Sequence, residues 1–213
     1  EIFSPRLTGR VLPSGSFPTP DAALEYLYGI LCDLPGFYPR SYIAVAASLN
    51  SLLFDTGNYL ASADITLRLN PNRNLTFFTY LAFDKHHRIC GYDAQIRNPG
   101  ITLDYPPETH PATIQSLCQG IQQTCTDNNE QYESFEDYVD FMTNKIPYGS
   151  SDQLDQDSVS CRTLHIQLAA LAPDVHCPHC GPTGGEACTN KTSQSYYEVD
   201  YLSCAYKRKT HYS

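Results

Sequence analysis

The chain has 213 residues, enough to bury a core of its own, and carries 14 basic against 23 acidic side chains for a formal net charge of -9. Binding a nucleic-acid backbone needs clustered Lys and Arg to displace counterions, and the one basic cluster, Lys207-Arg208-Lys209, reads as a solvated end. No apolar run approaches the roughly 18 residues needed to cross a bilayer, so neither nucleic acid nor membrane is expected as a partner.

In chain order, residues 1–19 contain Pro5, Pro13 and Pro18 and predict an extended arm over the surface. Thr19 then offers an N-cap, Pro20 suits the first helical position and Asp21 complements the helix dipole. Leu24, Leu27, Leu31 and Leu34 follow at helical spacing, predicting a helix to Leu34 that Pro35-Gly36 stops. A second helix is expected over residues 40–55, with Ile43, Ala46, Ala47, Leu49 and Leu53 inward and Gly57 past its end. At Asp64 the period changes: Ile65, Leu67 and Leu69 alternate with polar residues as in a half-buried strand. Residues 75–83 are aromatic and β-branched, Asp84 to His87 make a turn, and residues 89–97 return as an antiparallel partner ended by Asn98-Pro99-Gly100.

Residues 101–105 read as a short extended piece, and helix resumes over 111–123. Ser134 and Asp137 resemble a capping box opening a helix with Tyr138, Val139, Met142 and Ile146 on one side. Val159, Leu164, Leu168 and Leu171 mark another helix. Residues 173–213 form a Gly-, Pro- and Cys-rich tail with one expected strand over 196–202. The order of elements predicts a single α+β domain over 1–213, without βαβ alternation and without a Gly-rich phosphate loop.

Nine cysteines, Cys32, Cys90, Cys118, Cys125, Cys161, Cys177, Cys180, Cys188 and Cys204, are a density expected of an oxidising compartment. Two glycosylation sequons, Asn74-Leu75-Thr76 and Asn190-Lys191-Thr192, and an opening Glu1 agree with a secreted mature chain whose leader has been removed. His176, Cys177, His179, Cys180 and Cys188 raise the question of zinc, but no second CxxC or HxxxH follows to close a tetrahedral site. Structural disulfides are the expected fate of these cysteines, with Cys177 bonded, no metal and no cofactor. Cys118 and Cys125 lie about 10 Å apart along an ideal helix and can pair only if that helix ends first. Cys32, among leucines, is the candidate buried thiol.

On the strand 89–97 one face carries Gly91, Asp93, Gln95 and Arg97, and the other Cys90, Tyr92, Ala94 and Ile96. Pattern alone reads this as polar-out and apolar-in. The stretch from Phe83-Asp84 through Ile89, Tyr92-Asp93-Ala94 and Ile96-Arg97 nevertheless resembles the closing hairpin of the SnoaL-like branch of the NTF2-like superfamily. That resemblance implies a curved antiparallel sheet rolled into a cone, helices over its open side, and a pocket lined by the inner face. It would turn the polar face inward, making Asp93, Gln95 and Arg97 pocket residues beside Phe78 and Tyr80. It is also compatible with a homodimer.

Cys161-Arg162, Leu164-His165, Pro173-Asp174-Val175-His176-Cys177-Pro178-His179 and Gly181-Pro182-Thr183-Gly184-Gly185, with paired Cys118 and Cys125, resemble a family of secreted SnoaL-like fungal proteins. The hetero-Diels–Alderases of fungal tropolone–sesquiterpenoid biosynthesis are similar proteins. Cys180 departs from that pattern, which puts family-derived disulfides near it in doubt. The resemblance implies a cofactor-free enzyme acting on a small, largely apolar metabolite. Loss of water would give an o-quinone methide, which then adds across an alkene of a sesquiterpene. Asp93 and His165 would serve the proton transfers and Arg97 would hold the developing oxyanion. His165, beside Leu164 and Leu168, reads equally as a satisfied core histidine. The competing class is a secreted binder that needs the pocket without proton-transfer groups. The two differ in whether Asp93, Arg97 and His165 meet in one cavity.

Overall fold

A computed structural model describes residues 2–32, 43–70 and 72–206. Its core is a curved six-stranded mixed sheet with helices against it, so the α+β class holds. The strands are β1 (Phe3–Leu12), β2 (Gly15–Phe17), β3 (Ile43–Asp55), β4 (Leu60–Asn70), β5 (Arg73–Phe83) and β6 (Ile89–Arg97), in the order β2-β1-β6-β5-β4-β3. Every pairing is antiparallel except β1 with β6, which run parallel.

The β5–β6 hairpin forms where the alternation places it. Its turn is held by the Asp84 carboxylate, whose Oδ1 accepts from the backbone N–H of His86 (2.8 Å) and Arg88 (3.1 Å). His87 takes the positive φ of 61° that the turn requires. Residues 2–19, the described part of the expected arm, are no surface arm. Leu7 is fully buried, and residues 8–12 pair with residues 91–95, because the alternation in Leu7, Gly9 and Val11 matches the apolar face of β6. The expected helix over 40–55 is instead β3, within the described residues. Alanines favour a helix locally, but eleven registered pairs with β4 supply ladder bonds that the local preference does not outweigh. Register slips between Ala44 and Ala46 and between Leu49 and Ser51 break its period, so no single apolar face survives to read.

Helix α1 (Pro20–Gly29) starts as expected, with the Thr19 side chain accepting from the Ala22 N–H at 3.2 Å. It ends earlier than Leu34, which with Pro35-Gly36 lies outside the described residues, as do Arg40 and the Lys207-Arg208-Lys209 cluster. Gly29 lets α1 approach the later helices closely: a Cβ there would meet Leu168 Cδ2 at 2.8 Å and Leu171 Cδ1 at 3.0 Å. On the sheet side Leu7, Phe17, Ala23 and Tyr92 bury one another.

After β6, Asn98 turns the chain in a left-handed conformation and Pro99 opens α2 (Pro99–Leu103), a helix where a short extended piece was expected. Then come α3 (His110–Thr124), α4 (Phe135–Asp140), which widens into a π-helical turn over Phe141–Lys145, α5 (Val159–Ala169) and α6 (Pro173–Cys180). Ser134 caps α4 by accepting from the Asp137 N–H. Ile114, Leu117, Ile121, Tyr138, Met142 and Ile166 form the second core, between these helices.

Three disulfides staple the described chain: Cys90–Cys204, Cys125–Cys177 and Cys161–Cys188. Cys177 is bonded as expected, but Cys118 does not pair with Cys125. Cys118 lies inside α3 and Cys125 just past its end, where it faces α6 instead. Cys118 and Cys180 remain buried thiols, and burial pushes each up to about 12. Cys32 follows α1 and is half-buried. No strand forms over 196–202. This part of the tail lies across β1 and β6, fixed by a bond from the Arg10 guanidinium to the Tyr196 carbonyl and by Cys204.

Candidate functional site

A cavity of about 640 Å³ lies between the inner face of the sheet and the helices. The sheet side is apolar, from Val11, Leu69, Leu75, Phe77 and Ile96, and α1 with its C-cap residue adds Tyr26, Leu27 and Ile30. Polar atoms enter from the helical side, through Asp104, His110, Tyr148, Ser160, Thr163 and Gln167. An apolar wall with a few convergent polar groups, at this volume, is what small-molecule sites present.

The polar side is held by its own bonds. Asp104 Oδ1 accepts from the Ser151 N–H at 2.7 Å and from its hydroxyl at 2.6 Å. The His110 ring stacks on Tyr148 with centroids 3.4 Å apart, and His110 Nε2 lies 3.1 Å from the Tyr105 carbonyl. A carbonyl only accepts, so Nε2 carries the proton and Nδ1 is left as the basic nitrogen. Burial raises the Tyr148 phenol above its ordinary value, and it raises that of Tyr26 much further.

The structure does not bring Asp93, Arg97 and His165 into one cavity. Pairing places Phe78 opposite Gln95, Tyr80 opposite Asp93 and Thr76 opposite Arg97, so all share the sheet face turned away from the cavity. The inward turn of this polar face is therefore corrected to polar-out, because the alternate face is the one that is buried: Ile96 packs with Leu69, Leu75 and Leu103, and Tyr92 with Leu7, Phe17 and Ala23. Phe78 and Tyr80 are 42% and 57% exposed, and the Arg97 guanidinium sits 5.8 Å over the Phe78 ring at the surface. Asp93 is taken up by Arg10, whose Nε donates to it at 3.0 Å, an ion pair that ties β1 to β6.

His165 alone reaches the cavity, and only through Tyr26. The Tyr26 hydroxyl, on the cavity wall, is 3.1 Å from His165 Nδ1. The same Nδ1 lies 3.0 Å from Nδ1 of His176 and 3.0 Å from Nδ1 of His179. Among the described residues, these three imidazoles are a group that could hold a metal. The thiols of Cys161 and Cys188, also near His165, are consumed in their disulfide. Burial holds His165 well below the ordinary histidine range, with His179 and His176 adding to it, and brings His176 and His179 each to about 4. Sequence reasoning missed the cavity side chains Asp104, His110 and Tyr148, since they come from loops and helix starts with no periodicity. It saw His165, His176 and His179 but had no signal that α5 and α6 bring them together.

Comparison with known proteins adds to this geometry. Residues 104–191 match the BfoA family C-terminal domain, a span that begins just after β6 and α2 and contains both the polar cavity side and the three histidines. The chain is 29% identical over 229 residues to Bifonsecin B biosynthesis cluster protein A of Aspergillus brasiliensis, covering 94% of this chain and 76% of that one. It is 28% identical over 227 residues to Aurasperone B biosynthesis cluster protein A of Aspergillus niger, covering 94% and 74%. Along nearly its whole length the chain is thus similar to proteins of fungal secondary-metabolite biosynthesis clusters, and in its helical half to the BfoA family C-terminal domain.

Proposed function

We propose that the chain takes a small, largely apolar metabolite of fungal secondary metabolism into the cavity and promotes its cyclisation by holding one folded conformer. The observation that carries this is the cavity itself: about 640 Å³, apolar on the sheet side and polar on the helical side. Fixing one conformer of a flexible substrate removes entropy from the barrier without any reagent, which suits a pericyclic step. Where a hydroxyl must first leave, as in o-quinone methide formation before a hetero-Diels–Alder addition, His110 Nδ1 would take the proton from the ring hydroxyl and return it to the departing oxygen, while the Tyr26 hydroxyl would hydrogen-bond that oxygen. Support for this finer chemistry comes from the resemblance to SnoaL-like proteins, whose cone places its pocket between sheet and helices. Asp93, Gln95, Arg97, Phe78 and Tyr80 would act only on a ligand bound at the opposite sheet face.

A second reading, a binder without catalysis, is favoured by the failure of Asp93, Arg97 and His165 to converge. One experiment separates the two. The protein is incubated with tropolone–humulene substrates, the products are resolved on a chiral phase, and binding is followed by displacement of a fluorescent naphthalene dye. Thr163 lines the cavity from α5, so Thr163→Trp would push an indole into it and narrow it. A single enantiomer formed by the wild type and lost in Thr163→Trp is the expected result. Dye displacement without product would establish the binder. Turnover unaffected by Thr163→Trp would refute the cavity as the site.

A further inference from the structure

His165 and His176 are buried and His179 half-buried where α5 and α6 meet behind Tyr26. We propose that Nδ1 of His165, His176 and His179 together bind one divalent transition-metal ion of the zinc and copper class. An imidazole nitrogen carries either one proton or one lone pair, so it makes one hydrogen bond along its axis. His165 Nδ1 has three polar neighbours instead: His176 Nδ1 at 3.0 Å, His179 Nδ1 at 3.0 Å and the Tyr26 hydroxyl at 3.1 Å. Protonated or not, it leaves two of them unanswered in a buried place. A shared ion answers all the nitrogens at once. With metal–nitrogen bonds of about 2.0–2.1 Å, two nitrogens on one ion lie about 2.9 Å apart at a right angle and about 3.4 Å apart at the tetrahedral angle. The observed 3.0 Å separations fall inside that interval.

The donor set decides the kind of ion. Three imidazoles and a phenol, with no carboxylate among the facing atoms, suit zinc, copper, nickel or iron and not magnesium or calcium. Glu25 Oε1 lies 3.2 Å from His176 Nε2, off the line of a good hydrogen bond, on the side away from the proposed ion. It is placed where an outer carboxylate orients a ligating histidine once the ring turns to meet the metal. Access is from the His179 side, since His179 is half-buried while His165 and His176 are sealed. α5 and α6 are each held by a disulfide, Cys161–Cys188 and Cys125–Cys177, so the ligands sit on stapled helices. This is a different site from the Cys177-Pro178-His179-Cys180 stretch that the sequence raised for zinc: its histidine takes part and its cysteines do not.

The test uses the whole chain, secreted with its disulfides intact, dialysed against a chelator and titrated calorimetrically with zinc chloride. One ion per chain is expected, and magnesium chloride should give no binding. His179→Gln should weaken zinc by more than about 100-fold, beyond what loss of an outer-shell partner costs, while His86→Gln at the exposed hairpin turn leaves it unchanged. X-ray absorption of the zinc-loaded wild type, which does not depend on any variant folding, should count three imidazole nitrogens and no sulfur. Absence of stoichiometric zinc, wild-type affinity in a folded His179→Gln, or sulfur in the coordination shell would each overturn the proposal.

Discussion

Replacing Cys125 and Cys177 together with alanine removes a staple whose two ends are both fully buried and whose partners are 52 residues apart. Treating the crosslink as a constraint on the unfolded chain, closure of a loop of that length contributes about 4 kcal/mol at 25 °C. That is a large share of the roughly 5–15 kcal/mol that holds a typical domain together. For a chain of this size it corresponds to a fall in Tm of about 8–16 °C. Urea unfolding followed by circular dichroism measures it directly. The slope against urea should also rise, because the unlinked denatured chain exposes more surface. The shorter 27-residue span of Cys161–Cys188 should give a smaller loss, about 3.6 kcal/mol, and the 114-residue span of Cys90–Cys204 a larger one, about 4.8 kcal/mol. A loss under about 1 kcal/mol for Cys125→Ala/Cys177→Ala, with an unchanged slope, would refute the argument that these bridges act through the unfolded state.

Other expectations follow from single contacts. Burial pushes the Asp84 carboxyl up, but the backbone and guanidinium of Arg88 and the backbone N–H of His86 outweigh it and hold Asp84 at about 2. Its folded value lies below the unfolded one, so its contribution is complete above about pH 4 and is lost as pH falls toward 2. A carboxyl titration by NMR should place the midpoint near 2, and Asp84→Asn should flatten acid unfolding in that window. Gly91→Ala would put a Cβ 1.9 Å from the Tyr201 carbonyl oxygen and 3.1 Å from Cys204 Sγ. It should cost about 1–3 kcal/mol in thermal or urea unfolding, and wild-type stability would show that the tail does not lie against β6. The side chains of Asn74 and Asn190 are exposed in their sequons. Secretion from a eukaryotic host should therefore add a glycan at Asn74, read as a mass loss on deglycosylation, and an unmodified Asn74 would count against that pathway.

What the sequence made legible is what local chemistry decides. The β5–β6 hairpin, the Thr19 cap of α1, the Ser134 cap of α4 and the body of α3 follow from alternation and capping, and the structure has them. In β3, Ile43, Ala46, Ala47 and Leu53 satisfy a helical period, while the bonds that make it a strand come from β4. Around β1, Pro5 and Pro13 signal irregular chain, and the partner that makes it a strand lies far along the sequence. The cavity is legible only in pieces: Phe77 and Ile96 belong to predicted strands, but which face closes depends on helices packing from the other half. Cys125 and Cys177 show the same limit. Spacing limits a helical Cys118–Cys125 pair, but only the fold says that α6 lies where Cys125 points.

The parallel pairing of β1 with β6 has a consequence for the chain as it is made. Arg10 and Asp93, which join the two strands, are 83 residues apart. A ribosome adding roughly 5–20 residues per second needs about 4–17 seconds to produce the second after the first. Through that interval the first strand of the sheet has emerged and has no neighbour on its β6 side. Pro5, Arg6 and Arg10 interrupt its apolar residues, and such residues discourage stray strand pairing between nascent chains. Arg10, a charge in the waiting strand, becomes in the finished sheet the residue that joins β1 to β6 through Asp93.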